Sequence, residues 1–179
     1  MLQGFIRKSI GKSSSKQLRR DGFLTANIYA KGFKNIQLSF KQGDYLKEIR
    51  KKENFTFMIK FDNQELTVFI QDYQLHPING NILHLDLRVS IKDQITNAMI
   101  PIFFEGIPKG LKNKGVLIST IKRLKVRGVV SQMPNKFLIK VDNLDLGDSL
   151  FVKDLDELEN GCKIMEKDIL QLCGVVKGK

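Results

Sequence analysis

The chain has 179 residues, 42% of them hydrophobic and 27% charged, and its 30 Lys and Arg against 19 Asp and Glu give a formal charge of +11. That length suits one large domain or two small ones, and the basic excess points to an anionic partner, either nucleic acid or an anionic membrane. No apolar run approaches the roughly 18 residues of a membrane span, the first residues are too short an apolar stretch for a secretory signal, and Cys162 and Cys173 form neither a disulfide framework nor a C-x-x-C site; a soluble cytoplasmic protein is expected.

The first twenty residues hold Arg7, Lys8, Lys12, Lys16, Arg19 and Arg20 and no acid. Within them, residues 11–20 mix cations with Ser13, Ser14 and Ser15 and are expected to form an irregular, accessible segment. Lys and Arg there neutralise phosphates, while hydroxyls and backbone amides donate to phosphate oxygens. A flexible basic arm without a fixed target is the competing reading.

Short strands are expected at 26–29 and 36–40. A helix over 43–52 places Leu46 and Ile49 inward and Lys47, Arg50 and Lys51 outward. Residues 55–61 put Phe55, Phe57, Ile59 and Phe61 on one face of a strand, and 65–71 do the same with Leu66, Val68 and Ile70. Asp62 and Asn63 between them suit a tight hairpin, because both types tolerate positive φ. Asn79-Gly80 marks another turn before a strand at 82–89, which carries Leu83, Leu85, Leu87 and Val89 on one side.

Residues 91–96 read as a junction. Beyond it, 99–104 forms a strand in which Pro101 indicates an edge or a strand start, and 105–110 forms a loop. Strand material follows at 116–126 and 136–141, then a turn at 145–149 and a strand at 150–152. The charge divides unevenly at the junction, with +8 on residues 1–92 and +3 on residues 93–179. The expected architecture is therefore mainly β with a few short helices (α+β), in two domains at 1–92 and 93–179. The anion-binding work falls to the first.

A second polar cluster runs from Gln71 through Gln74 and His76 to Gly80, followed by His84 and Asp86. Glutamine amides and imidazoles both donate and accept, so they can read base edges and 2′-hydroxyls in the shallow RNA minor groove. His84 and Asp86 share strand parity and face away from Leu83, Leu85 and Leu87. Catalysis finds little support: His76 and His84 are the only histidines, and no phosphate-binding glycine pattern is present. No cofactor, metal or small-molecule substrate is expected, and neither is enzymatic activity. The rival is a site built on Asp72, Asp86, His76 and His84, as a metal centre, an acid/base carboxylate pair or a nuclease.

These motifs resemble those of the bacterial 5S rRNA-binding large-subunit ribosomal proteins, in the two-domain Ctc type. The likeness rests on Gly11-Lys12 with Leu18-Arg19 and the following 25–29, on 71–77 and 83–87, and on 100–106, 108–110, 114–117 and 146–155 in the second half. It implies an N-terminal six-stranded β-barrel-like domain that clamps the loop E region of 5S rRNA. By that likeness Lys12, Ser15, Lys16 and Arg19, with Arg7 and Arg20, hold phosphates, and Tyr29, Gln71, Gln74, His76, His84 and Asp86 face the distorted minor groove. It further implies a C-terminal β-rich domain that contacts 23S rRNA or neighbouring ribosomal proteins, and a ribosome-associated place in the cytoplasm. An RNA-binding stress protein acting off the ribosome is the alternative. Leu75, Gln17, Thr25, Ala30 and Asn160-Gly161 depart from the family pattern, Leu75 by standing where a cation is usual.

Overall fold

Period-two alternation in the N-terminal half closes into a six-stranded barrel in a computed structural model that describes residues 1–52, 54–155 and 161–178. Its strands are β1 (Leu2–Ile6), β2 (Phe23–Ala30), β3 (Phe33–Lys41), β4 (Phe57–Phe61), β5 (Gln64–Leu75) and β6 (Ile82–Val89). They close in the order β1-β3-β2-β6-β5-β4, with β1/β4 and β2/β6 parallel and the other pairs antiparallel. Inward residues of all six strands, among them Leu2, Ala26, Phe40, Ile59, Val68 and Leu87, form one buried cluster. Closure leaves no unpaired sheet edge.

Two helices accompany the barrel, α1 (Lys12–Arg20) and α2 (Gln42–Lys51). The first corrects the expectation of an irregular 11–20 segment. Three serines weaken a helix because their hydroxyls compete for the backbone, but Lys, Gln, Leu and Arg are good helix formers. Arg19 and Arg20 in the last turn also complement the helix dipole. In α2 the buried side chain is Tyr45, and Leu46 is 38% exposed, so the inner face is rotated by one residue from the expected one.

Strands β2 and β3 outrun their expected limits of 26–29 and 36–40, because the ladder between them continues through Phe23–Lys41, Leu24–Phe40 and Thr25–Ser39 at one end and Ala30–Phe33 at the other. Phe55 precedes β4 instead of belonging to it; its ring packs against Phe69 at 5.4 Å between centroids. Phe69 therefore lies buried although its neighbour Val68 fills the barrel core. The Asp62-Asn63 turn has φ of 41° and 61°, as a tight β4–β5 hairpin requires.

The chain divides into two compact units, Met1–Gln94 and Ile95–Lys179. Thr96, expected in the junction, is a buried residue of β7 (Ile95–Glu105). The second unit contains a four-stranded sheet in the order β10 (Phe137–Lys140), β7, β9 (Arg123–Val129), β12 (Lys163–Ile164). A three-stranded sheet follows the order β11 (Ser149–Phe151), β13 (Gln171–Lys177), β8 (Gly115–Ser119). The expected strand at 116–126 is thus two strands in different sheets, separated at 120–122.

Pro101 sits inside β7 and not at its start. Pairing with β9 ends at Pro101 and pairing with β10 begins at Ile102, while the Ile102 N–H donates to Lys122 on the β9 side at 2.9 Å. Amide directions alternate along a strand, so the missing N–H of Pro101 points to the side where no ladder bond is needed. The loop after β7 tightens into a 3-10 turn at Lys109–Asn113. Cys162 and Cys173 are free and buried, and burial pushes both thiols up, away from thiolate chemistry. Asn160 lies outside the described residues.

Candidate nucleic-acid interface

Along α1 the residues Lys12, Lys16 and Arg20 recur at every fourth position and are all exposed, which places three cations in one stripe on the solvent side. Like charges at this spacing destabilise an isolated helix by about 0.2–0.5 kcal/mol per pair. No acid stands in the first turn to offset them. Ser14, Ser15, Leu18 and Arg19 are half-buried on the other side. There Arg7, just past β1, donates from Nη2 to Ser15 Oγ at 2.9 Å and fastens the helix to the barrel.

The outer surface of β3, β2, β6 and β5 supplies the polar part. Register aligns Gln37, Asn27, Asp86 and Asp72 in one row, and Ser39, Thr25, His84 and Gln74 in the next. Tyr29 lies opposite Arg88 in the following row. Thr25 is buried and its hydroxyl donates to the Leu83 carbonyl at 3.1 Å, so this departure from the family pattern gains a cross-strand tie.

A β-bulge decides which of these side chains meet. Ile70 pairs with Leu87 and Asp72 with Asp86, which leaves Gln71 as the inserted residue. Regular alternation would turn Asp72 and Gln74 towards the core with Val68 and Ile70. The extra residue shifts the parity, so Asp72 and Gln74 stand beside Asp86 and His84 while Tyr73 packs on the core. A second irregularity, between Ile28 and Ala30, falls at Tyr29.

The electrostatics join helix and sheet. Burial lowers the His84 pKa, the neighbouring Asp86 carboxylate raises it, and the Arg7 and Arg19 guanidiniums lower it further. His84 Nδ1 is 3.5 Å from Asp86 Oδ1. Burial raises the Tyr29 pKa, and the Asp86 and Asp72 carboxylates add to that while Arg88 opposes them. Thus Arg7 and Arg19 act on the histidine of the polar rows, and Tyr29 shares the carboxylates of those rows. Arg7 Nε, Gln37 Oε1 and Gln71 Oε1 are buried polar atoms without a hydrogen-bond partner in the protein.

His76 stands apart from this group, in the β5–β6 turn. Its Nδ1 accepts from the Ile78 N–H at 3.3 Å, which leaves Nε2 as the ring donor, and its backbone N–H donates to the Asn81 carbonyl at 2.7 Å. Leu75 is 49% exposed beside it. Asn27, Gln37 and Arg88 were absent from the sequence-based set, although the apolar alternation around them already turns them outward. Among the described residues, no group of three or more His, Cys, Asp or Glu is placed to hold a metal ion, and no helix is long and apolar enough to cross a membrane.

The depressed His84 pKa has a testable consequence. Between the ordinary histidine value and the lower folded one, the unfolded chain binds the extra proton. Stability attributable to His84 is therefore full above about pH 6.5 and falls as pH drops through the folded pKa. Replacing His84 with Gln should remove that component, so denaturation midpoints of the two proteins should diverge between pH 7 and pH 5, with wild type losing more. Parallel curves would contradict the assignment.

The chain matches the Ribosomal L25p family over residues 2–87 and the C-terminal domain of ribosomal protein TL5 over residues 96–179. It is 44% identical over 179 residues to large ribosomal subunit protein bL25 of a Nitratiruptor species, covering all of both chains. The protein of that name from Campylobacter hominis is 42% identical over 175 residues, 98% of each chain, and that of Sulfurimonas denitrificans is 40% identical over all 179.

Proposed function

Since this chain belongs to the ribosomal L25p family, with its TL5-type second domain in the same polypeptide, we propose that it is a non-enzymatic constituent of the large ribosomal subunit whose N-terminal unit binds 5S rRNA. The cationic helix α1 and Arg7 engage phosphates on one side of the distorted loop E helix. The polar rows of β2, β6 and β5 meet its minor groove. The observation that carries this reading is that α1, tied to Arg7 through Ser15, packs on β2, whose neighbour in the barrel is the β6 strand of His84 and Asp86, so cationic and groove-reading groups stand on adjoining elements.

Chemistry supports the division of roles. Phosphate contacts position a protein and base-edge contacts specify its site. Gln71, Gln74 and His84 offer both donors and acceptors, and Asp86 and Asp72 accept from exocyclic amino groups and 2′-hydroxyls. A buried polar atom left unpaired costs about 1–3 kcal/mol, so RNA partners for Gln71 Oε1 and Arg7 Nε would convert a penalty of the free protein into affinity. Location follows from the role: a ribosome-associated protein of the cytoplasm.

On this reading 5S binding belongs to the first unit, which has its own closed barrel and core. Immobilised full chain and an immobilised 1–94 fragment, each exposed to total bacterial RNA, should both retain 5S rRNA as the main species. Their 5S affinities should agree within about tenfold, or ~1.4 kcal/mol. A folded fragment that retains no 5S rRNA while the full chain does would place the site elsewhere, and retention of all RNA classes in proportion to abundance would contradict selective binding.

A further inference from the structure

The first unit holds a recess that neither the cationic stripe of α1 nor the polar rows of the barrel include. Arg7 Nη2 donates to Ser15 Oγ at 2.9 Å, and Ser14 Oγ donates to the Ser9 carbonyl at 3.2 Å. These two ties hold the N-terminal half of α1 to the segment after β1. Alongside them opens a cavity of about 300 Å³, the lower end of the size range of small-molecule sites. Ile6 of β1 and Leu18 of α1 give it apolar surface, and Arg7 and Lys8 give it cations. Gln17 of α1 and Asp21, just past the helix end, add a polar pair.

The polar pair is selective in what it can hold. Gln17 and Asp21 are four residues apart and so lie on one side of the helix end. Among the described residues neither side chain has a hydrogen-bond or ion-pair partner. A carboxylate only accepts, whereas an amide both accepts and donates. Guanine matches that pair: its N1–H and 2-amino group are two adjacent donors for one carboxylate, and its O6 accepts from an amide N–H. Adenine sets a bare N1 lone pair beside its amino group, and cytosine repeats the mismatch at N3. Uracil flanks its one N–H with two carbonyls. The ends of the recess are polarised in the same sense. Carbonyls at the helix C-terminus carry partial negative charge, which suits base donors. Towards the other half, Arg7 Nε is buried without a partner in the protein, a donor that a phosphate oxygen satisfies. Gln17 is also one of the residues by which this chain departs from the family pattern, so the pair is a feature of this chain.

We propose that this recess is a guanine-nucleotide site, in which Asp21 accepts from N1–H and the 2-amino group and Gln17 donates to O6. Ile6 and Leu18 cover the base, and Arg7 and Lys8 hold the phosphate. A guanosine extruded from a bound RNA and a free guanosine phosphate present the same groups. The first source rests on the 5S reading and the second does not, so the site itself is tested with no RNA present.

The test titrates full-length wild type, Gln17→Leu and Asp21→Asn with GMP, AMP, CMP, UMP and inorganic phosphate by equilibrium dialysis. Wild type should bind GMP at least about tenfold more tightly than each of the other probes. Asp21→Asn should weaken GMP about tenfold or more and erase the preference, and Gln17→Leu should weaken it about fivefold. Neither side chain supports the fold through a bond, so both variants should melt near wild type; should one melt early, the wild-type preference among the probes decides. No saturable GMP binding, equal binding of the four nucleotides, or GMP no tighter than phosphate would overturn the proposal. Wild-type GMP affinity in Asp21→Asn would overturn it too. A second titration, with 5S rRNA present, separates the sources. A guanosine supplied by the RNA means that GMP displaces 5S rRNA and that Asp21→Asn weakens both. A free nucleotide means that GMP and 5S rRNA bind together and that the substitution affects GMP alone. A chain that binds GMP selectively but no 5S rRNA would contradict the 5S reading and leave the recess as proposed.

Discussion

Replacing Lys12, Lys16 and Arg20 together by Ala should weaken 5S rRNA binding on the order of 100-fold at moderate salt, about 2.7 kcal/mol, without lowering the melting temperature. The three side chains form one exposed stripe on α1, so each is free to neutralise a phosphate. Removing three phosphate contacts should flatten the dependence of log affinity on log salt by about two to three units. The same change relieves like-charge repulsion at fourth-residue spacing and installs the best helix former, so α1 itself should be slightly more stable. Loss of affinity with unchanged or raised stability is therefore the signature of a functional stripe. If the variant binds 5S rRNA as wild type does, α1 is a solvated helix and not an RNA contact.

Gln71→Ala and His84→Ala should each cost about 1–3 kcal/mol on 5S rRNA, roughly 5- to 150-fold, with little change on unrelated structured RNA and little change in salt slope. Neither side chain carries a permanent charge near neutral pH, but each offers directional hydrogen bonds. The Gln71 case separates cleanly from a stability effect. Its Oε1 is buried without a partner in the free protein, so truncation removes an unsatisfied acceptor and should leave the thermal melt near wild type. His84 is half-buried beside Asp86, and its Ala variant should melt only slightly lower. A uniform loss on every RNA together with a large drop in melting temperature would mean that these residues support the barrel and do not read the groove.

Much of the barrel was legible in the sequence, for reasons that differ between elements. Phe57, Ile59 and Phe61 alternate cleanly, and Asp62-Asn63 takes up the positive φ that a two-residue hairpin demands. Leu85 and Leu87 fix the parity of β6, so His84 and Asp86 point outward. What could not be read were features that leave the apolar pattern unmarked. A bulge at Gln71 reverses parity within one strand, and only the cross-strand register reveals that Gln74 joins His84. Serines 13–15 signal a loop on propensity alone, whereas the flanking Lys, Leu and Arg carry α1 through them. Pro101 signals an edge, and it does occupy an unpaired side, but within an inner strand whose two partners change over at that residue.

On the proposed reading, one surface of the first unit recognises loop E of 5S rRNA through both phosphates and groove edges. The affinity of the full chain for intact 5S rRNA should then be compared, at one fixed salt concentration, with that for a variant whose loop E pairs are replaced by Watson–Crick pairs. Phosphate contacts survive that change while the groove edges do not. Intact 5S rRNA should therefore bind at least about 100-fold, or ~2.7 kcal/mol, more tightly, and His84→Ala should shrink the difference. Equal affinities for the two RNAs would contradict the account, because the barrel would then be holding RNA by charge alone.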